Sequence, residues 1–91
     1  MTEKPDIVAP IVHLNGSGRQ NLIDALANAY SAIEKAAEAL RQTAPNGRDY
    51  YPAGPEALEA ARKQHTRRIR ALRDLQDELV EECNLIEEQG T

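Results

Sequence analysis

Ninety-one residues with 41% hydrophobic content, much of it alanine, allow one small domain with a thin core. A formal net charge of −4 gives no global attraction to nucleic acid or acidic membranes. A single cysteine, Cys83, rules out an internal disulfide framework, and no run reaches membrane-span length. Met1 to Pro10 lacks a signal-peptide pattern, so a cytoplasmic protein is expected.

Taken in chain order, residues 1–17 suggest an extended N-terminal arm ending in a glycine turn. Met1 to Asp6 is polar and frayed in expectation. Ile7-Val8-Ala9-Pro10-Ile11-Val12-His13-Leu14 is apolar and β-branched, and Pro10 forbids both a helix interior and a central strand. Those apolar side chains call for cover by another element. Asn15-Gly16-Ser17-Gly18 then breaks the chain, with Ser17 and Gln20 spaced as a capping box.

Residues 18–91 fit an all-α antiparallel two-helix hairpin. The first helix is expected over about 18–44, because Ile23, Leu26, Tyr30, Ile33, Ala37, Leu40 and Ala44 alternate steps of three and four. Pro45 stops it. Pro45-Asn46-Gly47-Arg48-Asp49-Tyr50-Tyr51-Pro52 reads as a connection in which Asn-Gly makes the turn. The second helix is expected over about 55–89, opened by Pro55 and Glu56 and ended by Gly90. Leu58, Ala61, His65, Ile69, Leu72, Leu75, Leu79, Cys83 and Ile86 mark its apolar side.

Charge on that second helix is lopsided. A basic block from Arg62 to Arg73 precedes an acidic block from Asp74 to Glu88 that holds no Lys or Arg. Acids at a helix C-terminus oppose the macrodipole, so local helix energetics did not choose this order. Antiparallel pairing of two copies would set one block against the other. The alternative is a solvated face laced by Arg70–Asp74 and Arg73–Asp77 pairs. The small core also favours a homo-oligomer.

Candidate chemistry gathers at three places. Tyr50 and Tyr51, two of three aromatics in a chain without Trp or Phe, sit beside Arg48 and Asp49 and suit a planar polar ligand. Asn15, Gly16, Ser17 and Arg19 form a glycine-rich helix start that could hold an anion. Arg62 and His65 share a helix face near the tyrosine loop, and with Arg48 and the two rings could line one pocket. His13 and His65 fall in no metal-binding spacing, and Cys83 on an apolar stripe among acids reads as a core thiol. Neither a catalytic constellation nor a cofactor or metal is expected.

Val12-His13-Leu14-Asn15-Gly16 followed by an Ala-rich helix, then Asn46-Gly47-Arg48-Asp49-Tyr50-Tyr51-Pro52 and a charged helix, resembles small phage and prophage proteins. In size and helical build, though not in motif, the chain also looks like the phage anti-defence sponges. That resemblance implies a compact homo-oligomer that sequesters a nucleotide-derived immune signal in the host cytoplasm. The competing expectation is a structural or adaptor protein that docks a partner protein. Nucleic-acid binding by the basic block is disfavoured by the acidic block beside it.

Overall fold

The computed structural model describes residues 6–89, and the secondary structure among them is entirely helical. Helix α1 spans Arg19–Arg41, α2 is the short Gly47–Tyr50, and α3 spans Pro55–Glu88. A 3-10 turn, Tyr51–Ala53, joins α2 to α3. The polar residues 1–5 and the helix-ending Gly90 of the sequence reading lie outside the described residues.

Helices α1 and α3 pack along one another, and successive residues of α1 meet progressively earlier residues of α3. Leu26 and Tyr30 lie beside Leu79 and Cys83, whereas Glu34 reaches Arg73. With 23 and 34 residues, the two helices are about 35 and 51 Å long at ~1.5 Å per residue. The molecule is correspondingly long and thin, 62 × 27 × 18 Å.

So thin a body has little interior. Among the described residues only Ala37, Ile86 and Gln76 are buried, while Ile23, Leu26, Ile33, Leu40, Leu58, Ile69, Leu72 and Leu79 remain partly accessible. The inward stripe of α3 passes through Leu72, Gln76, Leu79, Cys83 and Ile86. It bypasses Leu75, which the sequence pattern placed inside and which is exposed. Gln76 takes the inward position because its amide is fully engaged. It donates to the Tyr30 carbonyl and Glu34 (3.3 Å each) and accepts from Arg73 at 2.7 Å. Hydrogen bonding of that kind removes most of the cost of burying an amide.

Local chemistry at the helix ends departs from the sequence expectation in two places. The Ser17–Gln20 capping box does not form: Gly18 occupies the N-cap without a side-chain bond, and Gln20 donates instead to Asp24. Helix α1 also stops at Arg41 rather than Ala44, its last turn tightened by i to i+3 bonds ending on Ala44. In the connection, Asn46 acts as a helix cap rather than a turn former. Its Oδ1 accepts from the Asp49 N–H at 3.2 Å and its Nδ2 donates to Asp49 Oδ2 at 3.0 Å, which winds Gly47–Tyr50 into α2. Gly54, with φ +93°, then reverses the chain into α3, in a conformation that any side chain would strain.

The arm is fastened at the far end of α3. Gln89 accepts from the Val12 N–H and donates to the Pro10 carbonyl, both at 2.8 Å. Ile7 and Ala9 are half-buried and alternate with exposed Asp6, Val8 and Pro10, the period of an extended chain lying on a surface. After Pro10 the phase shifts, so that Val12 is half-buried and Ile11 exposed. Cover is therefore only partial: Val8, Ile11 and Leu14 face outward. Gln89→Ala should release both bonds and speed amide exchange at Val12 by tenfold or more, with the helical signal unchanged. Exchange at Val12 as slow as in the parent protein would show that the arm is held by other contacts.

Candidate functional site

The connection between α1 and α3 builds a hollow over the start of α3. Winding of Gly47–Tyr50 brings Gly47 over the start of α3, where a Cβ would meet Leu58 Cδ2 at 3.9 Å. Tyr50, Tyr51, Gly54, Pro55 and Leu58 close the rest of a cavity of about 450 Å³. Tyr50 is half-buried in its wall, whereas Tyr51 is 85% exposed at its rim. An aromatic ring left in water at the mouth of an apolar hollow is suited to stacking on a flat ligand. Arg48 is exposed on α2 and is not among the residues that line this hollow. Asp49 has a different task, since both its carboxylate and its N–H bond Asn46.

The single pocket expected from Arg48, Tyr50, Tyr51, Arg62 and His65 is not assembled within one chain. Arg62 lies one surface depression further along α3, with Glu59, Lys63, Thr66, Arg67 and Arg70. His65 faces a third, with Thr66, Ile69, Arg70 and Arg73. The reason is helical pitch: Leu58, Arg62 and His65 rise along α3, whereas the tyrosine loop folds over only its first turn.

The glycine-rich turn sits a helix length away. The Gly16 N–H donates to the His13 carbonyl at 3.1 Å, and the imidazole lies over Gly16 so closely that a Cβ there would sit 2.7 Å from Nε2. A side chain at Gly16 would have to displace the exposed His13 ring, not backbone. Asn15 and Ser17 are exposed, and Arg19 is half-buried with its Nε unpartnered. Since α1 runs about 35 Å between this turn and the tyrosines, the two loops of one chain cannot grip one small molecule.

Electrostatics along α3 also differ from simple pairing within the helix. Arg73 reaches across to Glu34 at 2.6 Å rather than to Asp77. That bond and the Gln76 amide hold the Glu34 carboxyl below its ordinary range, and the same contact raises Arg73. Among the described residues the ion pairs are Glu38–Arg41, Glu59–Lys63 and Glu34–Arg73, so the Arg70–Asp74 and Arg73–Asp77 pairs do not form. Cys83 is half-buried rather than in the core, and burial, then Glu87 and Glu82, push its pKa up. Among the described residues no group of three or more His, Cys, Asp and Glu side chains is placed to hold a metal ion.

A second, apolar groove of about 290 Å³ lies between the long helices, lined by Leu26, Tyr30, Leu79, Val80 and Cys83 among others. Sequence periodicity alone did not reveal it, because Tyr30 and Val80 lie at the edge of the helix contact rather than inside it. No helix of the described residues is long and apolar enough to cross a membrane. No protein-family model matches this chain, and neither a curated protein nor a solved structure matches it.

Proposed function

We propose that this chain is a non-enzymatic binding protein that captures a nucleotide-derived small molecule in the cytoplasm, as an antiparallel helical hairpin assembled into a homo-oligomer. The observation that carries the reading is Tyr51, 85% exposed at the rim of an apolar hollow that also holds Tyr50. A base would stack on the Tyr51 ring, and Arg48 would donate charge-assisted hydrogen bonds to phosphate oxygens. Because one chain separates Arg48 and the tyrosines from Asn15, Ser17 and Arg19, the binding place falls at a boundary between copies. The likeness to phage anti-defence sponges gives the biological form of the proposal: removal of an immune signal by sequestration.

Calorimetry against cyclic dinucleotides, cyclic trinucleotides and ADP-ribose derivatives tests it. Stacking contributes about 1–3 kcal/mol per base, so Tyr51→Ala should weaken uptake by roughly tenfold or more. Arg48→Ala should weaken it as well, and both variants should keep their helicity and oligomer size. Silence of the parent protein across the panel would favour the adaptor reading, in which the groove between α1 and α3 docks a protein helix. That second reading draws support from Val80, 45% exposed within an otherwise apolar lining.

A further inference from the structure

One face of α3 repeats at steps of three and four through Arg62, Thr66, Arg70, Arg73, Asp77, Val80 and Asn84. It borders the apolar groove at its acidic half and the two charged depressions at its basic half. Arg62, Arg70, Asp77, Glu81 and Glu87 on or beside it are all exposed, and none forms an ion pair among the described residues. Five unpaired charges, segregated by sign along one helix, are a poor arrangement for an isolated chain. They are complementary to a reversed copy of themselves.

We propose that this face is the contact between two copies, with their α3 helices antiparallel about a two-fold axis level with Leu75. The register follows from the charges. About that point Lys63, which pairs with Glu59 in its own chain, comes opposite the partner's Glu87. Thr66 comes opposite the partner's Asn84, and Arg73, already bonded to Glu34, comes opposite the partner's Asp77. Arg70 meets the partner's Val80, one residue from the partner's Glu81. Offsets of 2, 5, 9 and 12 residues from position 75, at about 100° each, leave all these positions within about 60° of the direction opposite Leu75, so they share one face. The small side chains of Ala27 and Ser31 on α1 border this face at the groove, so α1 does not obstruct the approach. Apolar lining from Tyr30 and Val80 is covered in the process, and the charged rim sets orientation.

The pairing rests on the reading that the chain self-associates, and it makes that reading specific. It brings the end of α3 at Gln89, and with it the Asn15–Arg19 turn fastened nearby through Val12, level with the partner's Ala61 and Arg62. One copy's glycine turn thereby comes level with the depression that holds the other copy's Arg62, about one helical turn from its tyrosine hollow, and two such boundaries form per dimer.

Charge exchange in the full chain tests the register. K63E/R70E carries acids on both halves of the face, and E81R/E87R carries bases on both. Each alone should lose the self-associated species in sedimentation, with association weakened at least tenfold and helicity by circular dichroism retained. An equimolar mixture should restore it as a heterodimer, and the fourfold exchange K63E/R70E/E81R/E87R should restore it within one chain. Association of either double variant at the strength of the parent, a mixture that stays dissociated, or a parent that is itself monomeric overturns the pairing. Ligand uptake by the parent is read separately: uptake with failed charge exchange removes only this interface, and restored pairing without uptake removes only the ligand reading.

Discussion

Ile86→Ala should lower stability more than any other single truncation, by about 2–4 kcal/mol. Ile86 is the largest side chain fully buried among the described residues, and Ala37 is its only fully apolar companion in the core. In a large protein such a cavity would be one loss among many. Here the helices share so little interior that the loss approaches the whole stability of a small domain. At roughly 4–8 °C per kcal/mol for a chain of this size, the melting temperature should fall by ten degrees or more. Ile86→Val should cost only about 0.5–1.5 kcal/mol. The two variants and the parent should be melted at one fixed concentration, because association makes the melting point concentration-dependent. A melt of Ile86→Ala unchanged from the parent would mean that the fold is held somewhere other than this contact.

The second large effect is expected at Gln76, which is 2% exposed and bonded to three partners. Gln76→Ala removes those hydrogen bonds and leaves a gap beside Arg73, and should cost about 2–3 kcal/mol. The same network has a pH signature. Glu34 is held below its ordinary carboxylate pKa first by Arg73 and then by Gln76. A depressed carboxylate contributes stability that is complete above its unfolded value and is lost as pH falls through the folded one. Unfolding titrations should therefore show stability declining on the acid side of the carboxylate range, with Glu34→Gln flattening that decline. At neutral pH and above the network is intact, since Arg73 is raised further from any physiological titration. An acid limb identical in Glu34→Gln and the parent would remove Glu34 from the account.

The two long helices were legible because each has a hydrophobic period and an unmistakable stop or start: Pro45 after one, Pro55 before the other. Gln76 was not legible, since a periodic reading prefers Leu75 one residue earlier. Only the cross-helix partners Tyr30, Glu34 and Arg73 explain why an amide displaces a leucine from the interior. The α2 turn was missed for a related reason. Asn-Gly is a turn signal in isolation, and only the three-residue spacing to Asp49 marks Asn46 as a cap. That spacing was present in the sequence as a usable sign.

Of the candidate site, the tyrosine pair and Arg48 were singled out from composition and neighbourhood, and the hollow gives Tyr50 and Tyr51, though not Arg48, a common setting. Arg62 and His65 were grouped with them on shared helical face, which ignores rise along the axis. The glycine turn was readable as a chain break, but its function within the arm, with His13 folded over Gly16, depends on contacts that spacing does not encode. The separation of the two loops follows from the length of α1, about 35 Å, and it is the reason the proposed binding place needs a second copy.

The central claim joins self-association to capture of a nucleotide-derived ligand, and native mass spectrometry of the full chain purified from a nucleotide-rich lysate measures both at once. The account predicts an even-numbered assembly of the 10.1 kDa chain that retains a small phosphorylated ligand, released when Tyr51 is replaced by alanine. A ligand-free monomer would contradict it.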